Sequence, residues 1–170
     1  LSILLFDYPG YGRSHGTPSE QDCYEAASAA YRWLTEERRI TPADLLLVGR
    51  SLGTAVAVQL ASRRPHRALV LVSPFTCIPD VAQERYPFLP ARLFMRNRFD
   101  SLSRIGRCTR PVLIVHGTKD GTVPCCLGKR LFEAANEPRC LHVLAGAGHG
   151  DAVLVDFFPT LRQFLAECQP

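Results

Sequence analysis

Three side chains of complementary chemistry each follow a predicted strand of this sequence. Ser51 stands in the motif GRSLG, between the apolar run 45–48 and a helix-forming stretch, while Asp120 and His149 follow the later runs PVLIVHG and LHVLAG. A serine hydroxyl is a poor nucleophile at neutral pH, so it needs a histidine as base. The histidine needs a carboxylate to fix its tautomer and stabilise the imidazolium. These residue types predict acyl transfer, with Ser51 as nucleophile, His149 as base and Asp120 as acid.

An α/β fold would bring these three loops together. Short continuous apolar runs alternate with helix-forming stretches, which is typical of a mostly parallel sheet flanked by helices. Loops after parallel strands gather at one edge of the sheet, where ligands bind. Predicted strands are 1–6, 45–48, 68–73, 111–117 and 141–146. Predicted helices are 19–38, capped by Ser19 with Asp22 at capping-box spacing, and 52–63, 127–135 and 157–168.

The stretch 74–110 interrupts this alternation. It contains several prolines and aromatic residues and is too long for a simple crossover, so we interpret it as a small cap inserted into a single domain spanning 1–170. The aromatic residues in 75–99 would either line an acyl-chain pocket or pack the cap onto the sheet.

The two glycines of GRSLG explain how the serine becomes accessible. Ser51 must adopt a strained backbone conformation for its hydroxyl to stand clear of the sheet, and flanking side chains would clash in so tight a turn. The helix that follows directs unpaired N–H groups toward a developing oxyanion, so the backbone N–H of Leu52 would be one oxyanion donor. The alternatives are that Ser51 is an ordinary helix cap and that Asp100 or Asp151 is the acid. We expect Asp100 at the opposite edge and Asp151 as a cap of the last helix.

Composition excludes several classes of function. A formal net charge of +4 with scattered basic residues gives no indication of a nucleic-acid partner, and no apolar run approaches the roughly 18 residues of a membrane span. The seven cysteines have no regular spacing and no histidine has ligand spacing, so neither a metal nor another cofactor is predicted. Packing thiols favour a reducing compartment such as the cytoplasm. The chain opens at Leu1 inside a strand-like run, so we expect a longer protein, whose membrane contact stays open.

The motifs resemble those of the α/β-hydrolase superfamily over nearly the whole chain. FDYPGYGRSHGTPSE is similar to the family's loop after its fourth strand, GRSLG to its nucleophile elbow, HGTKDGTVP to its acid loop and GAGHGD to its histidine loop. FDSLSRIGRCTRPVLIVHG is similar to the stretch before the acid strand in a subgroup of depalmitoylating and serine aminopeptidase-like hydrolases. The resemblance implies the same roles for Ser51, Asp120 and His149.

The same resemblance implies a truncated fold. The family's first three strands and the loop with the second oxyanion donor have no counterpart, so an empty slot is expected beside 45–48 and this segment alone is expected to be inactive. We expect the complete protein to be a serine hydrolase that cleaves a carboxylic ester or thioester of a small or lipid-like substrate. The alternatives are a peptidase or amidase of the same fold and a non-catalytic ligand-binding protein.

Overall fold

A single parallel sheet organises the chain. The computed structural model describes residues 2–88, 90–151 and 157–168, and within them the sheet has four strands in the order β1-β2-β3-β4. The strands are β1 (Leu46–Arg50), β2 (Ala68–Val72), β3 (Val112–Gly117) and β4 (Arg139–Leu144). All neighbouring pairs are parallel, which confirms the predicted fold class.

Helices connect and cover these strands. They are α1 (Glu20–Arg32), α2 (Leu52–Ala61), α3 (Ile78–Arg85), α4 (Ala91–Phe94), α5 (Leu102–Ile105), α6 (Cys125–Ala134) and α7 (Phe157–Glu167). The Ser19 hydroxyl oxygen caps α1 by accepting from the Asp22 N–H at 3.1 Å. A π-helical turn over Trp33–Glu37 continues α1, so the helical backbone ends close to the predicted residue.

The two central strands are buried on both faces, which explains their continuous apolar sequence. Leu69 and Leu71 of β2 pack in one cluster with residues of α2, α5 and α6, while Val70 and Val72 pack on the opposite face against α7. This alternation is the two-residue period of a strand. Each of these side chains is at most 1% exposed, and full burial of such a side chain contributes about 1.5–3 kcal/mol.

The predicted first strand is wrong. Residues 2–7 have no regular secondary structure, and Leu1 lies outside the described residues. A strand needs a partner for its ladder of hydrogen bonds, but residues 4–8 are separated from the edge strand β1 by an apolar cavity of about 440 Å³. The side chains of Ile3 and Leu5 are 77% and 86% exposed. The expected empty slot beside β1 is therefore present, and the strand predicted across it does not form.

Two buried aromatic residues anchor the segment 74–110. Phe75 and Phe99 pack in a cluster with α1 and α2. Tyr86, Phe88 and Phe94, in contrast, are exposed. The aromatic residues therefore do not act as one set: two anchor the segment, and three face solvent.

Candidate active site

Ser51 occupies the single residue between β1 and α2. Its backbone angles are φ 51° and ψ −122°, in a region that L residues rarely adopt. A Cβ at Gly49 would contact the Gly53 carbonyl oxygen and lie 2.7 Å from its carbonyl carbon, so only glycine fits there. The Ser51 N–H donates to the Val72 carbonyl at 3.0 Å. A hydrogen bond to β2 therefore holds the turn between β1 and α2. The positive φ of Ser51 agrees with the strained conformation predicted for this residue.

The first turn of α2 holds this geometry. The Ser51 carbonyl accepts from the N–H of Thr54 at 2.9 Å and from its buried hydroxyl at 2.6 Å. The N–H of Leu52 lies in the same turn, where backbone N–H groups have no intrahelical acceptor. Such a group, at the positive end of the helix, suits an anionic oxygen.

Asp120 lies in the loop after β3 and has a fully buried side chain. One oxygen, Oδ1, accepts from the N–H groups of Thr122 and Val123 at 2.9 and 2.8 Å. The other, Oδ2, lies 2.8 Å from Nδ1 of His149. Burial raises the pKa of Asp120, but the hydrogen bonds from Val123, His149 and Thr122 outweigh it and hold that pKa below its ordinary value. The carboxylate is therefore ionised at neutral pH and can only accept, so the imidazole donates Nδ1–H and keeps Nε2 as acceptor.

The acid and histidine loops are joined directly. The Lys119 N–H donates to the Ala147 carbonyl at 2.9 Å, and the Thr118 hydroxyl accepts from the Gly146 N–H at 2.8 Å. A Cβ at Gly117 would contact the Ala147 oxygen, so the loops approach closely only because this residue is glycine. The Asp120–His149 contact therefore rests on a rigid backbone arrangement.

The serine loop also reaches the histidine loop. Arg50 donates from Nη2 to the carbonyl of His149 at 3.2 Å, which places the residue before Ser51 against the residue that bears the imidazole. Within the described residues, no hydrogen bond joins the Ser51 hydroxyl to that imidazole. Hydrogen bonds of this kind are often long without substrate and tighten when it binds.

The two rival carboxylates are occupied elsewhere. Asp100 accepts from the Ser103 N–H at 3.1 Å at the start of α5. Asp151 accepts from the Gly148 N–H at 2.9 Å within the histidine loop, whereas the last helix begins at Phe157. The prediction that Asp151 caps that helix depends on residues 152–156, which lie outside the described residues, so it stays a prediction.

Two buried polar residues lie beside Asp120. Sequence reasoning gives no role to Ser73, whereas it predicts that His116 is a packed, hydrogen-bonded residue. Ser73 follows β2 with φ 51°, and its hydroxyl lowers the pKa of Asp120. Among the described residues this hydroxyl has no partner at ordinary hydrogen-bonding geometry, so it acts on Asp120 as a nearby polar group. His116 lies with Nε2 3.0 Å from the Val123 carbonyl and 3.4 Å from Asp120 Oδ2. Its place at the end of an apolar strand is the sequence feature that indicates burial.

The cavity beside β1 extends to Ser51, but most of it runs along the unpaired edge of β1. Its lining includes residues 45–50 and the start of α2, so its shape reflects the open edge of the sheet, and we assign no acyl-binding site to it. Among the described residues no cluster of histidine, cysteine and acidic side chains has metal-binding geometry. No helix within them combines the length and apolar character needed to cross a bilayer.

Comparison with known proteins gives consistent matches. The family model described as the Alpha/beta hydrolase family matches residues 1–106. An uncharacterized protein of Mycobacterium tuberculosis is 45% identical over 98% of this chain, and human alpha/beta hydrolase domain-containing protein 17B is 34% identical over 98%. The chain spans 60% and 57% of these relatives' lengths. A monoacylglycerol lipase of Paleococcus ferrophilus has a similar solved structure, with a TM-score of 0.70, 19% identity and coverage of 96% of this chain and 82% of that chain.

Proposed function

Because the chain belongs to the alpha/beta hydrolase family, we propose that the complete protein containing it is a serine hydrolase that cleaves a carboxylic ester or thioester. The observation that carries this proposal is the 2.8 Å contact between His149 Nδ1 and the buried Asp120 carboxylate, in loops at the sheet edge that also holds Ser51. That arrangement supports a histidine whose Nε2 is free to accept a proton.

The proposed reaction has two halves. In the first, Ser51 Oγ attacks the acyl carbonyl while His149 Nε2 takes the hydroxyl proton, and the leaving alcohol or thiol then receives that proton. In the second, a water molecule loses a proton to the same nitrogen and attacks the acyl-enzyme, which releases the acid and restores Ser51. Asp120 stays ionised throughout and stabilises the imidazolium. The Leu52 N–H would donate to the oxyanion in both halves.

A fluorophosphonate probe tests this proposal, because it reacts covalently with an activated serine. We expect the complete protein to be labelled, and we expect Ser51→Ala to abolish labelling. Ser62→Ala is a matched control at the other end of α2, where the hydroxyl donates to the Gln59 carbonyl. A complete, folded wild-type protein that is not labelled would contradict the proposal and favour a ligand-binding protein.

The bond that is cleaved requires a second measurement. Acyl esters, thioesters and anilides of equal chain length should be compared at matched concentrations. We expect hydrolysis of the first two to exceed anilide hydrolysis. A preference for the anilide would identify an amidase that uses the same residues.

A further inference from the structure

The outer surface of the cap segment exposes large apolar side chains that no part of the proposed reaction uses. Phe88 is 95% exposed, Leu93 80%, Phe94 76% and Tyr86 58%. We call these four residues the cap patch. They lie on α4 and on the connection between α3 and α4, two helices that contact each other. Single exposed apolar residues are ordinary on a protein surface, whereas four within the nine residues 86–94 favour an interaction site.

Arginines predominate in the stretch that carries the cap patch, which Glu84 and Asp100 bound on either side. Residues 85–99 contain four arginines and no aspartate or glutamate. Arg85 and Arg92 have protein partners, since Arg85 donates to the Gly121 carbonyl at 2.7 Å and Arg92 pairs with Asp80 at 2.6 Å. The exposed Arg96 and Arg98 form no ion pair within the described residues. Two cations therefore flank the apolar side chains and are available to an anionic partner.

Hydrogen bonds on both sides of the cap patch join this segment to the rest of the domain. The buried Asp80 carboxylate accepts from the Thr76 hydroxyl at 2.6 Å, in addition to its pairing with Arg92. The Glu20 carboxylate at the start of α1 accepts from the backbone N–H groups of Arg98 and Phe99 at 2.6 and 2.9 Å. These bonds attach the segment on both sides of the cap patch.

The residue that precedes the cap patch contacts the acid loop of the candidate active site. Arg85, the last residue of α3, donates to the carbonyl of Gly121, which follows Asp120 directly. A partner seated on the patch would thus be held beside the acid loop.

We propose that the cap patch, with Arg96 and Arg98, docks this protein onto the surface of an anionic lipid bilayer. Aromatic and aliphatic side chains would enter the boundary between headgroups and acyl chains, while the arginines would face lipid phosphates and carboxylates. A fluid bilayer adapts to separately projecting side chains, whereas a protein partner must supply a pocket for each. The docking does not depend on the proposed hydrolase activity, because Ser51→Ala leaves this surface intact.

Vesicle binding by the complete protein is the first test. We expect binding to vesicles of phosphatidylcholine with phosphatidylserine to exceed binding to phosphatidylcholine alone. The variant Phe88→Ser/Leu93→Ser/Phe94→Ser should bind at least tenfold less. The variant Arg96→Gln/Arg98→Gln should lose about fivefold per arginine at low salt, and less at high salt. Matched controls are Phe158→Ser, at an apolar residue 61% exposed on α7, and Arg63→Gln/Arg67→Gln.

A local probe keeps the test decisive if the complete chain holds a second membrane anchor. Phe88→Trp should give an indole whose difference fluorescence shifts to the blue on anionic vesicles and is quenched by brominated lipid. Phe158→Trp should show neither change. An indole at the first position that remains in water, or equal vesicle binding by the patch variants and the wild type, would overturn the proposal. Labelling of all variants by fluorophosphonate reports separately on the candidate active site.

Discussion

Replacing Gly117 by alanine tests whether the spacing of the acid and histidine loops controls reactivity. The new Cβ would contact the Ala147 oxygen and lie 2.8 Å from its carbonyl carbon, whereas ordinary contacts begin at 3.4 Å. The loops must therefore separate by at least this difference, about 0.6 Å, because the oxygen is nearer still. Both groups are backbone and cannot rotate away, so we expect the free energy of unfolding to fall by about 1–3 kcal/mol.

The displacement acts on reactivity because Ala147 is two residues before His149 and Gly117 is three before Asp120. A misplacement of about 1 Å can reduce an enzymatic rate by about 10²-fold, so we expect a reduction of roughly ten- to a hundredfold. The assay is the second-order rate of fluorophosphonate labelling of the complete protein, measured well below the melting temperature of each variant.

Gly121→Ala is the matched control. It lies beside Asp120 in the same loop, yet a Cβ there has nothing within 4 Å and no left-handed backbone angle. We expect labelling within about twofold of wild type. If Gly117→Ala loses stability but is labelled as fast as Gly121→Ala, close approach of the loops does not control the reactivity of Ser51, and the reasoning is refuted.

Two further predictions concern stability. Thr54→Val keeps the shape of a fully buried side chain but removes its donor to the Ser51 carbonyl, so we expect urea denaturation to show a loss of about 1 kcal/mol. Retention of full stability would show that the hydroxyl does not hold the turn. Burial lowers the pKa of His116, so the unfolded chain takes up that proton first and the free energy of unfolding should fall as the pH drops below about 6.5. His116→Asn should flatten this dependence between pH 7.5 and 5.5, and an unchanged slope would exclude the contribution.

The layered fold could be predicted because the sequences of the central strands are apolar throughout, which indicates burial on both faces. Continuous apolar runs are the signature of strands covered on both faces, and β2 and β3 are such strands. Residues 2–6 carry the same kind of pattern without forming a strand. Their failure is a matter of pairing, since apolar composition does not show whether a neighbouring strand is within reach.

The candidate site divides in the same way. The positions of Ser51, Asp120 and His149 after three parallel strands predicted loops at one edge, and the structure joins the last two by a hydrogen bond. The approach of Gly117 to Ala147 and the position of Ser73 near Asp120 could not be predicted. Both depend on how the backbone runs between distant parts of the sequence. The hydrogen bond from the Gly148 N–H to Asp151 likewise follows from the path of the loop and not from any sequence pattern.

Because β1 has a neighbouring strand on one side only, its amide protons should exchange with solvent at different rates. The Ser51 N–H donates to the Val72 carbonyl, and the Leu45 carbonyl accepts from the Arg67 N–H. Because the backbone groups of alternate residues in a strand point to the same side, those of Leu47 and Gly49 also face β2. The N–H groups of Leu46, Val48 and Arg50 face the cavity. Proton lifetimes should therefore alternate residue by residue along this strand, long and then short, although every residue in it has the same secondary structure.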